Sequence, residues 1–310
     1  MKKVKPSLVL SDEDLKKITT YPPELQTELF HTSLAVQSPY LLAKINGEQY
    51  IVASWIAEYK KAGKAMEDIE WNEVITRHIN PFKEENLLDD VAKLNVREIE
   101  SLLEFCNKYG LMGEKINNIS IEKSGVDTLG RRILANAKES LSYFVKETLI
   151  IQGLITTYHD IIQPLNDYYK DTNDTSIEKT IDEMELKLKQ GINSKLGLVR
   201  PAINLEAKGK YLPGYTTSTL LGAIYYQFYE VVTSGKQFKE CVNCGSLFIP
   251  RKSNAKFCPP FTSGEHSSCQ NSYNQMKSRA KKSVRTGKKT IEEVANSLGR
   301  PLAEVRGWFD

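Results

Sequence analysis

Residues 241–258 read CVNCGSLFIPRKSNAKFC and contain three of the five cysteines of the chain. Cys241 and Cys244 have the Cys-x2-Cys spacing with which a tight turn presents two thiolates to one metal ion. Gly245 suits the positive φ of such a turn. Cys258 and the nearby Cys269 complete a set of four. Because disulfides are rare in the reducing cytosol, the cluster predicts a Zn²⁺ site with ligands Cys241, Cys244, Cys258 and Cys269.

Residues 238–286, around these cysteines, predict a small module that resembles a treble clef. Residues 246–250 are typical of a short strand, which we expect to turn at 251–256 and to return at 256–258. Ser267 or Ser268 can cap a helix that carries Cys269 in its first turn, where the helix dipole favours a thiolate. At about 100° per residue, an apolar stripe shares the face of Cys269 and is expected to cover the hairpin. The stripe contains Tyr273, Met276, Ala280 and Val284.

Other interpretations of the cysteines stay open. His266 can replace Cys269 as the fourth ligand, and Cys241 with Cys244 can act as a redox pair. Four cysteine ligands would leave no open coordination position, which indicates a structural site and not a catalytic one. Cys106 follows Ile99, Leu102 and Leu103 on one helical stripe, so we expect an inert core thiol there.

Charge is unevenly distributed along the chain. The net charge is +3 in total, +10 over residues 236–289, −2 over 290–310 and −5 over 1–235. A strongly basic segment indicates a polyanionic partner, although a solvated lysine-rich tail has the same composition. The candidate nucleic-acid contacts are Arg251, Lys252, Lys277, Arg279, Lys281, Lys282, Arg285, Lys288 and Lys289.

Residues 1–237 predict a mainly helical domain with a small β contribution, which we interpret as a sensor or dimerisation domain. Asn46-Gly47 between two apolar runs predicts a β-hairpin. Residues 218–232 are apolar on almost every side, which predicts a helix at the centre of the domain. An apolar heptad pattern runs from Leu134 to Tyr169, so this segment is either a dimerising coiled coil or a long core helix, and Pro164 should kink or end it.

Residues 287–310 have the spacing of a helix-turn-helix tail. Thr290 and Glu293 predict a capping box, and Gly299 predicts the turn between two helices. Val294, Leu298, Leu302, Val305 and Trp308 are expected to pack inward. Both DNA contact and a packing or partner role fit this pattern.

The cysteine region reads KECVNCGSLFIPRKSNAKFC; it is followed by CQNSYNQMKSRAKK and preceded by an apolar helix. This combination resembles the CGNR-type zinc-finger proteins of bacteria. The resemblance covers about residues 220–285. It implies an ABATE-like N-terminal domain, the four cysteines as zinc ligands and a role as a stress-linked transcription regulator. The chain differs from the family in reading Cys269-Gln-Asn-Ser272 in place of Cys-Gly-Asn-Arg, and in having a longer loop before Cys269.

These features together predict a cytoplasmic DNA-binding transcription regulator. The alternative is a zinc-stabilised module that binds RNA or another protein without reading DNA sequence. We expect no enzyme, because the sequence has no glycine-rich phosphate loop, and a treble-clef nuclease would need a catalytic histidine beside the fold, where only His266 lies. No segment has the length and apolarity of a membrane span.

Overall fold

The computed structural model describes residues 34–62, 77–113, 137–206, 210–260 and 267–309. It divides the chain into two compact units, Met1–Gly235 and Lys236–Asp310, which we call the body and the basic unit. Helices predominate over strands, as the sequence predicts. Among the described residues, no helix is both long and apolar enough to cross a membrane.

The body combines short antiparallel strands with helices. The strands are β1 (Leu34–Val36), β2 (Tyr40–Ile45), β3 (Glu48–Ala53), β4 (Arg77–Ile79), β5 (Lys138–Ser140), β6 (Val199–Glu206) and β7 (Lys210–Thr217). The helices are α1 (Ser54–Lys61), α2 (Leu87–Lys93), α3 (Ile99–Tyr109), α4 (Leu141–Thr157), α5 (Gln163–Thr172), α6 (Glu178–Leu196) and α7 (Leu220–Thr233). The strands pair as β1 with β4, β2 with β3 with β5, and β6 with β7.

The β2–β3 hairpin turns at Asn46-Gly47, as predicted. Asn46 has φ 51° and Gly47 has φ 88°, the paired positive values that a two-residue hairpin turn requires. Strand β3 also pairs with β5, so Lys138 lies opposite Val52. The helix predicted to start at Leu134 is therefore wrong at 138–140, where pairing with β3 overrides the heptad pattern. Leu134 itself lies outside the described residues.

Helices α4 and α7 form the centre of the body. Most of α7 is buried, including Ile224 and Phe228, and the Thr219 hydroxyl caps its start by accepting from the Gly222 amide at 3.0 Å. The heptad positions Phe144 and Ile151 of α4 are fully buried too. The heptad stripe thus packs inside its own unit, which favours the core-helix interpretation over a dimerising seam. On α3, Cys106 is fully buried, as predicted.

The helical run of α4 continues past Pro164 into α5. Residues Tyr158–Ile162 form a π-helical turn, in which the Gln163 amide donates to the Tyr158 carbonyl. A proline lacks an amide hydrogen and crowds the preceding turn, and a locally widened turn accommodates both effects.

The basic unit contains β8 (Lys239–Glu240), β9 (Leu247–Phe248), α8 (Ser268–Arg285), α9 (Ile291–Leu298) and α10 (Leu302–Arg306). Thr290 and Glu293 form the predicted capping box, and Gly299 ends α9 with φ 62°. The three helices share one core. Its buried members are Ala280, Val294, Ala295, Val305 and Trp308.

This core corrects one expectation from the sequence. The α8 stripe of Tyr273, Met276 and Val284 packs against α9 and α10, while Tyr273 at its start also contacts Phe257 beside the cysteines. The predicted module 238–286 and tail 287–310 consequently belong to one compact unit, in which α8 is the third helix. The reason is that α9 and α10 are too short to bury their apolar faces against each other alone.

Candidate metal centre

The turn between β8 and β9 carries the first two cysteines. The Cys241 amide donates to the Ser246 carbonyl at 2.9 Å, and the Gly245 amide donates to the Cys241 carbonyl at 2.8 Å. Gly245 has φ 73°, which a glycine adopts without strain. These bonds close a tight loop, hereafter the knuckle (residues 241–245), with both thiols on it.

The hairpin differs from the predicted one in its strand pairing. β9 pairs with β8, which precedes the knuckle, so Phe248 lies opposite Lys239. The residues before Cys258 do not pair with β9. Instead, the Val242 amide donates to the Lys256 carbonyl at 3.0 Å, and the Cys258 amide donates to Cys241 Sγ at 3.4 Å. The knuckle's own hydrogen bonds decide the pairing, and they place Cys258 beside Cys241.

The fourth cysteine comes from the first turn of α8. The Ser267 hydroxyl caps this helix by accepting from the Gln270 amide at 3.3 Å, as predicted. The cap and the packing of α8 fix the position of Cys269. The alternative ligand His266 lies outside the described residues.

The four sulfur atoms lie within 4.8 Å of one another. Cys244 Sγ is 3.6 Å from Cys258 Sγ and 3.8 Å from Cys269 Sγ. A tetrahedral zinc ion with Zn–S bonds of about 2.3 Å separates its sulfur ligands by about 3.8 Å. Cys241 and Cys258 are buried, Cys269 is half-buried and Cys244 is exposed. Donor number, donor type and spacing therefore all fit a metal ion bound by four cysteines.

The cluster is electrostatically asymmetric. Burial raises the pKa of the Cys244 thiol, but hydrogen bonds from Ser246 and from the neighbouring thiols outweigh it and lower the pKa to about 7. Burial and the sulfurs of Cys244 and Cys241 raise the pKa of Cys269 to about 11. Without a bound cation, the neighbouring sulfurs therefore disfavour a thiolate at Cys269. A bound cation would supply the opposite charge that four close sulfurs require.

Tyr273 of α8 joins the metal centre to the helical core. Its ring lies 5.3 Å from that of Phe257, which packs beside the cysteines. Its hydroxyl accepts from Trp308 Nε1 at 2.9 Å and donates to Glu304 at 3.0 Å. One side chain thus contacts both small cores of the unit.

Arg300 makes a second connection, which sequence reasoning missed. From the turn between α9 and α10, its guanidinium donates to the carbonyl of Val242 at 2.9 Å and to that of Asn243 at 3.4 Å. It also pairs with Glu304 at 3.0 Å and lies over the Tyr273 ring. Its position beside Gly299 at a helix turn was the only signal in the sequence, and that signal does not identify a distant partner.

Four of the candidate nucleic-acid contacts lie together on α8. Lys277, Lys281, Lys282 and Arg285 line one open cleft of about 420 Å³. Asn274, Ser278 and Thr286 complete its lining, which contains no carboxylate. The other predicted nucleic-acid contacts are exposed but do not line this cleft. Arg279 lies on another side of α8, Lys288 and Lys289 follow the helix, and Arg251 and Lys252 lie in the loop after β9.

Comparisons with family models, with curated proteins and with solved structures find no match to this chain.

Proposed function

We propose that this chain is a DNA-binding transcription regulator in which a structural zinc ion orders a cationic helix. Zinc is the ion that four thiolates in a tetrahedron favour. When bound, it would cross-link the knuckle, Cys258 and α8. Because four cysteines fill its coordination sphere, we assign it no catalytic step, and we propose that the chain is not an enzyme. Reduced thiols suit a cytoplasmic location.

The charge arrangement of α8 carries this proposal. The helix contains no Asp or Glu. In the described part of the chain, none of Lys277, Lys281, Lys282 and Arg285 forms an ion pair. These four side chains share one cleft, so their mutual repulsion is relieved when a polyanion binds.

The carboxylates of α9 and α10 are engaged elsewhere. Glu292 pairs with Arg306 at 3.1 Å, Glu304 pairs with Arg300, and Glu293 accepts from the Thr290 amide. Arg300 and Arg306 are consequently neutralised within the unit. This favours α8 over α10 as the helix that contacts DNA, and it favours a packing role for α9 and α10.

Salt dependence tests the proposal. With about six phosphates neutralised by α8 and by Lys288 and Lys289, affinity for duplex DNA should fall about 10³-fold between 50 and 200 mM salt. The triple variant Lys277→Ala/Lys281→Ala/Arg285→Ala should lower the slope of log affinity against log salt by about 3. Fluorescence anisotropy of a labelled duplex with the zinc-loaded full chain measures both quantities.

The matched control removes three exposed lysines from the body, Lys146→Ala/Lys187→Ala/Lys189→Ala. It should leave the slope unchanged. A flat salt response, or equal behaviour of the two triple variants, would overturn the proposal. If structured RNA displaces duplex DNA at matched salt, the chain is an RNA-binding module instead.

A further inference from the structure

The solvent face of α8 has two chemically different halves. Exposed amide side chains occupy its first half, and lysines and arginines occupy its second half. Glu is a common, helix-stabilising residue on solvent faces, yet α8 has none. The exposed amides of interest are Asn271, Asn274 and Gln275.

These three amides point away from the core of the unit. At about 100° per residue, the direction opposite the buried stripe passes through position 271, and positions 274 and 275 lie within about 60° of it. Within the part of the chain that the structure describes, their side chains form no hydrogen bond. They are therefore available to a partner that approaches α8 along its outermost line.

Amides and cations recognise different parts of a nucleic acid. Lysine and arginine neutralise phosphates, which provides affinity without sequence information. An Asn or Gln amide donates and accepts at once, which matches the N6 and N7 edge of adenine in the major groove. The major groove is wide enough to admit an α-helix.

We propose that Asn271, Asn274 and Gln275 read adenine edges in the major groove of duplex DNA, while the second half of α8 holds the phosphates. This inference rests on the proposed function and adds sequence specificity to it. Positions 271 and 274 are about 4.5 Å apart along the helix axis, which is between one and two steps of 3.4 Å per base pair. The bound sequence should therefore contain at least two A·T pairs, with the pairs read from positions 271 and 274 adjacent or next to adjacent.

The metal centre would fix these reading residues in place. The Ser267 cap and Cys269 lie just before them in the first turn of α8. On the opposite face, Tyr273 contacts Phe257 and Trp308, which prevents rotation of the helix about its axis. A reading helix must be held rigidly for its amides to discriminate between bases.

The test selects bound sequences from a library of random duplexes with the zinc-loaded full chain. The wild-type chain should enrich a short motif with the A·T pairs described above. The variant Asn271→Ala/Asn274→Ala/Gln275→Ala should lose that enrichment, with a loss of about 5- to 150-fold in preference for the motif per contact removed. Its affinity for random duplex and its salt slope should stay within about twofold of wild type, because no charge is removed.

The control variant Asn296→Ala removes an exposed amide from α9 and should retain the motif. Zinc content of one ion per chain verifies that each variant is folded. If the wild-type chain binds duplex DNA but enriches no motif, or if the triple amide variant keeps the motif, this inference is wrong and the proposed function stands. If the wild-type chain binds no duplex DNA, both are wrong.

Discussion

The body and the basic unit are stabilised in different ways. The largest fully buried side chains of the described residues lie in the body, among them Phe144, Tyr225 and Phe228. The basic unit adds only Phe248 to that group. A larger unit buries enough apolar surface to fold on that basis alone, whereas a unit of this size needs a further cross-link.

The basic unit distributes its few buried residues over two small cores. One lies between α8, α9 and α10, and the other surrounds Phe248 and the cysteines. Tyr273 and Arg300 connect the two. Metal binding should therefore matter greatly for the basic unit and little for the body.

The largest effect is expected from Cys258→Ser. Structural zinc contributes about 10–16 kcal/mol to the folding of small zinc modules, and a buried hydroxyl is a poor replacement for a thiolate ligand. Zinc content should fall, and amide hydrogen exchange over residues 239–258 should approach the rate of an unfolded chain. Exchange in α4 and α7 should not change. Cys106→Ala, which removes a buried thiol of the body, is the matched control and should retain the metal. Equal metal content in both variants would refute the assignment of Cys258 as a metal ligand.

The reverse experiment destabilises the body. Phe228 is fully buried and its ring lies 6.1 Å from that of Tyr158. Phe228→Ala should lower the free energy of unfolding of the body by about 3–5 kcal/mol, because it leaves a cavity in the main core. Urea denaturation measures the loss. Zinc content and exchange protection in α8 should remain as in the wild type, and a parallel loss of zinc would show that the units do not fold independently.

A smaller effect is expected where the two cores of the basic unit are joined. Arg300→Ala removes two hydrogen bonds to knuckle carbonyls and should cost the basic unit about 1–3 kcal/mol. Faster release of zinc to a chromophoric chelator measures the effect on the knuckle.

Arg306→Ala is the matched control and the smallest expected effect. It breaks a single exposed ion pair with Glu292, which solvent screens and which therefore contributes little to stability. If both arginine variants release zinc at the same rate, the knuckle does not depend on Arg300.

Most of the structural features that were predicted correctly from the sequence depend on residues close together in the chain. The hairpin turn at Asn46-Gly47, the capping box of Thr290 with Glu293, and the αL glycine at Gly299 each depend on residues close in sequence. The four cysteines were found in the same way, because ligand spacing is a local pattern and a metal ion has a fixed geometry.

Features that depend on distant partners were not predictable. β9 was expected to pair with the segment before Cys258, and the choice of β8 follows from hydrogen bonds inside the knuckle. The stripe of α8 was assigned to the hairpin, yet most of it packs against α9 and α10, since its periodicity identifies a buried face but not what covers it. Likewise, the heptad pattern did not reveal that Lys138 would pair with β3.

X-ray absorption at the zinc edge, combined with metal analysis of the purified full chain, tests the central claim most directly. The expected result is one zinc ion per chain with four sulfur ligands at about 2.3 Å. A chain without bound metal, or a coordination shell with fewer than four sulfurs, would contradict the assignment of Cys241, Cys244, Cys258 and Cys269 and remove the basis for an ordered cationic helix.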